Sequence, residues 1–327
     1  LSMGFFVVTF VLLFSRDLAW LAWESAILIV RSAGESPEAT AVIGEAQPTD
    51  ALSASSTNPA VMALAILTFA HGFYQARRRA RIVEIDIPVP HLPDALVGFR
   101  IAQLSDLHVG PTIKASFVRR IVESVQSTKP DLIAFTGDLA DGSVARLASQ
   151  VQPLAQLRAT HGSFFVTGNH EYYSGVDDWL PVIEELGFRP LINEHVLIER
   201  GGSRILLVGV TDESAGDMAA EHASDPVAAV SGAPPADLRI LLAHQPRTAI
   251  SADGLGFDLQ LSGHTHGGQF IPWQLFVKLQ QPYLAGIYRR GTCWIYVNRG
   301  AGYWGPPLRV GAPAEIALLR LTRGGDE

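Results

Sequence analysis

Residues 1–30 are almost wholly apolar, interrupted by Ser15-Arg16-Asp17 and by Glu24. A run of that length suits lipid, and it accommodates either one long tilted helix with a break at Arg16-Asp17 or two short spans turning there. Residues 32–58, rich in Ser, Ala, Thr, Pro and Glu and without periodicity, read as a flexible loop. Asn58-Pro59 then gives a helix start, and an uncharged stretch from Pro59 to Gln75 runs into Arg77, Arg78, Arg79 and Arg81. Residues 59–80 are therefore expected to form a transmembrane helix with a basic flank, and residues 1–31 one or more further membrane segments. The four arginines follow a loop that carries only acidic charges beyond Arg31, which places the C-terminal side of the helix in the cytoplasm. A cleaved signal peptide is not expected, because no short basic start precedes the apolar run. The chain opens at Leu1 rather than Met, which leaves room for a further hydrophobic segment ahead of it.

From about Ile82 the pattern changes. Short apolar runs fall at 100–104, 131–136, 163–167, 204–210, 238–243, 257–262, 293–298 and 315–320, with helical stretches at 114–127 and 176–186. Strand and helix alternate in the first half and strands dominate the second, so residues 81–327 read as one α/β domain of mixed sheets flanked by helices. Residues 212–236, rich in Ala, Asp and Pro, read as a mobile loop.

The places where the apolar runs stop carry the chemistry. After 100–104 comes Ser105-Asp106-Leu107-His108, after 131–136 comes Gly137-Asp138, and after 163–167 comes Gly168-Asn169-His170-Glu171. Two later runs end in Ala243-His244-Gln245 and in Gly263-His264-Thr265-His266-Gly267-Gly268. Ligands collect at the C-terminal ends of strands, so these exits are expected to converge. Asp106, His108, Asp138, Asn169, His244, His264 and His266 offer oxygen and imidazole donors and no thiolate, a set that suits Mn, Fe, Zn or Ni. Seven donors exceed one tetrahedral site and match two divalent ions that share one carboxylate and a water or hydroxide.

Composition sharpens this picture. Hydrophobic residues make up 48% and charged residues 17%, with mean hydropathy +0.20, in keeping with a segment in lipid. The net charge of −7 supplies no basic field for nucleic-acid backbones, and nucleic-acid binding is not expected. Cys293 is the single cysteine, which excludes an intramolecular disulfide and a cysteine-rich zinc site and leaves it a small buried filler. His71, His91, His161, His195 and His222 stand in no motif and read as structural or exposed. Nothing implies an obligate protein partner.

The series SDLHVG, FTGDLADG, VTGNHEYY, LAHQP and LSGHTHGGQF closely resembles the calcineurin-like metallophosphoesterase family, and most of all its bacterial branch with N-terminal transmembrane helices. The resemblance covers about Pro88 to Leu321. It implies a four-layer αββα sandwich with the metals at one edge of its two sheets. Asp106, His108 and His266 would bind the first metal, Asn169, His244 and His264 the second, and Asp138 would bridge them. His170 would act as general acid toward the leaving group or orient the phosphate, while a metal-bridging hydroxide attacks phosphorus in line. Asp141 reads as a turn residue or a support and is left outside the catalytic set. Glu171 stands where many relatives carry aspartate, which leaves the ligands intact but puts the hydrogen bonding that positions His170 in doubt.

Substrate choice is less sharply written. Between Phe270 and Trp304 the chain is unusually aromatic, with Lys278, Arg289, Arg290 and Arg299 interspersed. The segment reads either as a hydrophobic flap for a lipid-linked phosphate or as ordinary core and loop packing. Arg299 is the candidate to contact a phosphate oxygen, with a surface ion pair as the alternative. The leading expectation is hydrolysis of a membrane-associated phosphodiester or pyrophosphate at the cytoplasmic face of the cell (inner) membrane. By the resemblance, a UDP-diacylglucosamine intermediate is one concrete substrate. The competing readings are a phosphodiesterase for soluble substrates and a membrane scaffold that retains the fold.

Overall fold

The structure, a computed structural model, describes residues 2–32 and 54–324. Its two compact units are residues 1–74 with 306–308 and residues 75–305 with 309–327.

In the first unit, α1 (Ser2–Ser32) is one continuous helix. Arg16 and Asp17 do not break it: their side chains pair at 2.6 Å, and Arg16 also donates to Asn58 Oδ1. An unbroken helix keeps every backbone polar group satisfied internally, which a turn inside lipid cannot do. The second helix, α2 (Ala54–Arg77), begins ahead of Asn58-Pro59, so Pro59 lies inside it rather than at its first turn. A proline there removes one backbone donor and crowds a carbonyl of the preceding turn, a cost confined to the first turns of the helix. Ser2–Ala26 (25 residues) and Thr57–Arg77 (21 residues) are each long and apolar enough to cross a membrane. Residues 33–53, the bulk of the expected loop, lie outside the described residues.

The second unit is built on twelve strands: β1 (Arg81–Val89), β2 (Arg100–Leu104), β3 (Leu132–Phe135), β4 (Ser163–Phe165), β5 (Arg189–Pro190), β6 (Glu194–Arg200), β7 (Ser203–Gly209), β8 (Leu238–Leu242), β9 (Leu259–Ser262), β10 (Gly286–Arg290), β11 (Cys293–Val297) and β12 (Glu315–Arg323). They form two six-stranded sheets, ordered β1-β12-β2-β3-β4-β5 and β10-β11-β9-β8-β7-β6. β2, β3, β4 and β5 run parallel, as do β7, β8, β9 and β11, while β12 against β2 and the hairpins β6–β7 and β10–β11 are antiparallel.

Alternation along the strands sorts side chains into layers. Ile101, Leu132 and Ala134 of one sheet meet Ile205, Leu207, Ile240 and Leu261 of the other in a core between the sheets. Ala102, Leu104, Ile133 and Phe135 face outward, under α3 (Ala115–Ser127), α4 (Val144–Val151) and α6 (Val176–Glu185). α3 meets them with Phe117, Val118, Ile121, Val122 and Val125, a stripe of helical period. On the far face of the second sheet, Leu206, Val208 and Leu241 pack with Ala229 of α7 (Pro226–Val230), and with Ala252 and Phe257 beside α8 (Thr248–Ser251). The result is the expected four-layer αββα sandwich. The short α5 (Asn169–Ser174) follows β4, and α9 (Trp273–Gln280) lies between β9 and β10.

Residues 212–236 are not an irregular loop throughout: α7 lies within them. Asp212 is buried and accepts from the Ser214 N–H at 2.9 Å and from Gln245 Nε2 at 3.0 Å, and Asp225 caps α7 by accepting from Val227 and Ala228. These side-chain hydrogen bonds hold the segment without strand or helix periodicity.

Candidate metal centre

The five strand exits converge. β2 delivers Asp106 and His108, β3 delivers Asp138, β4 delivers Asn169 at the start of α5, β8 delivers His244, and β9 delivers His264 and His266. Backbone bonds lock the turns to one another: Asp106 N–H donates to Gly137 O at 3.0 Å, and Leu107 N–H to Asp138 O at 2.8 Å. The His264 N–H lies 3.0 Å from both Asp106 carboxylate oxygens.

Asp106, His108, Asp138, His264 and His266 all have positive φ, between 50° and 68°. That conformation is disfavoured for side-chain-bearing residues by roughly 1–2 kcal/mol each, so the surrounding fold holds these donors in place against local preference. Two glycines make the crowding possible. A Cβ on Gly168 would overlap Asp138 Oδ1, and one on Gly263 would overlap Ser105 Oγ and Asp106 Oδ2.

The donors fall into two groups. His266 Nε2 lies 3.0 Å from His108 Nε2 and 3.4 Å from Asp106 Oδ1. His264 Nδ1 lies 3.2 Å from His244 Nε2 and 3.1 Å from Asn169 Oδ1. Asp138 stands between them, its Oδ2 3.2 Å from His244 Nε2 and 3.6 Å from His108 Nε2, while its Oδ1 accepts the His170 N–H at 2.9 Å. With ligand bonds of ~2.1 Å, neighbouring donors around a divalent cation stand ~3.0–3.5 Å apart. The side chains therefore fit cations without rearrangement, and the donor chemistry is that of a borderline N/O site.

The local electrostatics differ from donor to donor. Burial and the neighbouring His244 hold the His264 imidazole down to about 4, and burial with His108 and Arg309 holds His266 well below its ordinary value. Both rings are thus neutral, as ligands must be. At Asp138 burial is outweighed by His244, His108 and His170, which keep its carboxyl well below the usual range. His244 Nδ1–H donates to Thr136 O at 2.7 Å; burial alone would lower its pKa, but the Asp138 and Asp106 carboxylates raise it well above the ordinary value, so a cation held at Nε2 would displace a proton.

His170 is partly buried, and its Nδ1 lies 2.8 Å from Asp141 Oδ1. Burial alone would lower its pKa, but Asp141 and Asp138 raise it to about 9. The same Asp141 oxygen lies 2.8 Å from His108 Nδ1. Burial of Asp141 is outweighed by the two histidines, which bring its carboxyl down to about 2. The sequence gives Asp141, three positions after Asp138 in GDLADG, as a turn residue or a support outside the catalytic set, and it stands here beside two histidines. Glu171, the departure from aspartate, is buried and accepts the N–H groups of Asp138 (2.9 Å), Leu139 (2.7 Å) and Gly168 (2.7 Å). Burial and the Asp138 charge push its carboxyl up to about 7 despite those bonds. Glu171 thus ties two ligand-bearing turns together rather than touching the His170 ring.

Arg309, for which the sequence offers no motif, is fully buried. Its guanidinium donates to Gly302 O at 2.6 Å, Arg299 O at 2.8 Å and Ala312 O at 2.8 Å, and lies 3.2 Å from His266 Nδ1. Arg299 itself is not brought to the donors: its Nη1 pairs with buried Glu315 at 2.6 Å, and it lies outside the lining of the neighbouring cavity. That cavity, about 400 Å³, is lined by His108, Asp138, Asn169, His170, His264 and His266 together with Tyr173, Phe270, Trp273, Val277, Gln280, Gln281 and Trp304.

An αββα frame with Asp, Asn and His donors gathered at its strand ends defines a metal-dependent phosphoester hydrolase as the class. Residues 99–268 match the profile of the family described as calcineurin-like phosphoesterase, and the chain belongs to that family. It is 37% identical over 284 residues to the transmembrane protein with metallophosphoesterase domain of Danio rerio, covering 84% of this chain and 65% of that one. It is 43% identical over 255 residues to an uncharacterized metallophosphoesterase of Helicobacter pylori strain J99, covering 77% and 67%. Among solved structures it is similar to the calcineurin-like phosphoesterase YfkN from Bacillus subtilis, with a TM-score of 0.40 at 14% identity over 68% of this chain and 81% of that one.

Proposed function

We propose that this chain hydrolyses phosphate esters with two divalent cations, one held by Asp106, His108 and His266, the other by Asn169, His244 and His264, with Asp138 shared between them. The observation that carries the reading is the placement of Asp138 Oδ2 within 3.6 Å of one histidine from each group. Bound there, the cations would supply Lewis acidity, neutralise phosphoryl oxygens and make water nucleophilic near neutral pH.

The chain's own residues supply the rest. His170 lines the cavity with Nδ1 fixed by Asp141, so its Nε2 is the nitrogen left to pass a proton to the departing oxygen. Asn169, one residue earlier in the same turn, orients the phosphoryl group with its amide. Glu171 keeps the Asp138 and Gly168 turns in register, which fixes the distance between the shared carboxylate and His170.

The substrate proposed is a membrane-associated diester or pyrophosphate. The cavity's apolar wall of Phe270, Trp273, Val277 and Trp304 supports this, as do the two helices long and apolar enough to span a bilayer and the transmembrane naming of the Danio rerio relative. Arg77, Arg78, Arg79 and Arg81 after the second helix favour a cytoplasmic catalytic domain. Full-length protein loaded with Mn and offered bis-p-nitrophenyl phosphate, then UDP-diacylglucosamine, tests the proposal. Turnover that ceases in Asp138→Asn supports it, and stoichiometric metal without turnover favours the scaffold reading.

A further inference from the structure

α9 presents its apolar residues in the wrong direction for a helix in water. Gln274, Val277 and Gln281, at helical spacing, form its inner stripe: Gln274 abuts the backbone of Gly268, and buried Gln281 donates to Gln245 Oε1 at 2.9 Å. The opposite face carries Leu275, Phe276 and Leu279, exposed at 65%, 53% and 83%, with Ile271 (59%) and Trp273 (44%) just ahead. An outward stripe is normally polar. Here two glutamines and Val277 form the inner stripe while Leu275, Phe276 and Leu279 point out beside exposed Lys278, which concentrates an apolar patch on little more than two turns.

Charge selects the occupant. Between Asp258 and Glu315 the sequence holds no acidic residue, while Lys278 and Arg289 are exposed within that stretch; Arg290 and Arg299 are paired with Asp253 and Glu315, and Arg309 is buried. Lys278 sits on α9 itself and is exposed. A short helix with Trp, Phe and Leu outward and basic charge nearby has the composition of an element that lies in a headgroup boundary. The same chain carries two helices able to span a bilayer, and the second ends at Arg77, four residues before β1, so this domain is tethered where such a boundary is present.

We propose that α9 docks on the surface of an anionic lipid bilayer, with Leu275, Phe276 and Leu279 among the upper acyl chains. Trp273, Val277 and Gln280 of the same helix line the cavity that holds the metal-ligand residues. Docking therefore opens the cavity to the lipid layer, and the substrate class is a phosphate ester bearing an acyl or isoprenoid chain, which enters sideways without leaving the membrane. The docking stands independently of the phosphoesterase reading; the delivery of substrate rests on it.

The test uses full-length, Mn-loaded protein in vesicles of phosphatidylcholine and phosphatidylglycerol, with Cys293→Ala removing the native thiol. An environment-sensitive fluorophore is attached at Leu279→Cys or, as a control, at Val227→Cys on exposed α7. Acyl-chain-brominated lipids should quench the label at 279 and leave the label at 227 unaffected. A label at 279 that is unquenched, or protected by a second copy of the chain, overturns the proposal. In parallel, Leu275→Glu/Leu279→Glu should lower hydrolysis of a vesicle-embedded alkyl p-nitrophenyl phosphodiester by about tenfold or more, and leave soluble bis-p-nitrophenyl phosphate unchanged. Equal loss on both substrates, or no loss on either, overturns the delivery. Quenching at 279 in a protein that hydrolyses neither ester upholds docking while removing the phosphoesterase reading.

Discussion

Asp141 Oδ1 stands 2.8 Å from His170 Nδ1 and at the same distance from His108 Nδ1. One carboxylate oxygen thereby fixes both a proposed metal ligand and the proposed acid. Asp141→Asn should lower metal affinity and kcat together, each by about 10- to 100-fold, because it loosens His108 and His170 at once. Metal titration beside steady-state kinetics checks this; a loss of kcat with unchanged metal binding would confine Asp141 to His170.

His170 is partly buried in the cavity wall but is not among the seven donors. His170→Asn should leave metal content intact and lower kcat by on the order of 10²–10⁴ for alkyl phosphodiesters, whose leaving groups need a proton. With p-nitrophenol as leaving group the loss should be much smaller. An equal loss on both substrates would assign His170 to phosphate orientation rather than to acid catalysis.

Gly168 lies against Asp138, where an added Cβ would overlap the carboxylate and sit 2.7 Å from the Asp138 backbone nitrogen. Gly168→Ala should displace the shared carboxylate and destabilise the fold by ~1–3 kcal/mol, visible as a lower thermal midpoint and lost metal. Gly187→Ala, where nothing lies within 4 Å of the added Cβ, should leave metal content unchanged even though its own φ is positive.

Arg309 binds the carbonyls of Arg299, Gly302 and Ala312 with one planar fork. Lysine keeps the charge but cannot reach all three acceptors, so Arg309→Lys should leave buried carbonyls unpaired at a cost of ~1–3 kcal/mol. The expected readout is a lower thermal midpoint together with weakened metal binding through His266. A variant that is destabilised yet binds metal normally would separate this loop from the site.

Much of the architecture was legible. The runs 100–104, 131–136, 163–167, 238–243 and 257–262 announced β2, β3, β4, β8 and β9, and the polar residues after each run announced the site, since a buried Asp or His directly after a strand has few other uses. β1 was missed because Glu84 and Asp86 interrupt its apolar residues and Pro88 falls within it, as an edge strand allows. The insertion of β12 between β1 and β2 joins residues from opposite ends of the domain, and no local pattern encodes that. Arg299 carried two readings, a phosphate contact and a surface ion pair; its Nη1 pairs with Glu315, a partner near only in the fold. Arg309 stayed invisible for a related reason: its acceptors are backbone carbonyls, which every residue possesses.

The central claim is that seven side chains hold a pair of cations about Asp138. Metal analysis of full-length protein, beside the Asp138→Asn variant, tests it most directly. About two Mn, Fe, Zn or Ni ions per chain in the native protein, both weakened together in Asp138→Asn, is the predicted result. One ion per chain, or a variant that loses a single ion while the other is held at native affinity, would contradict it.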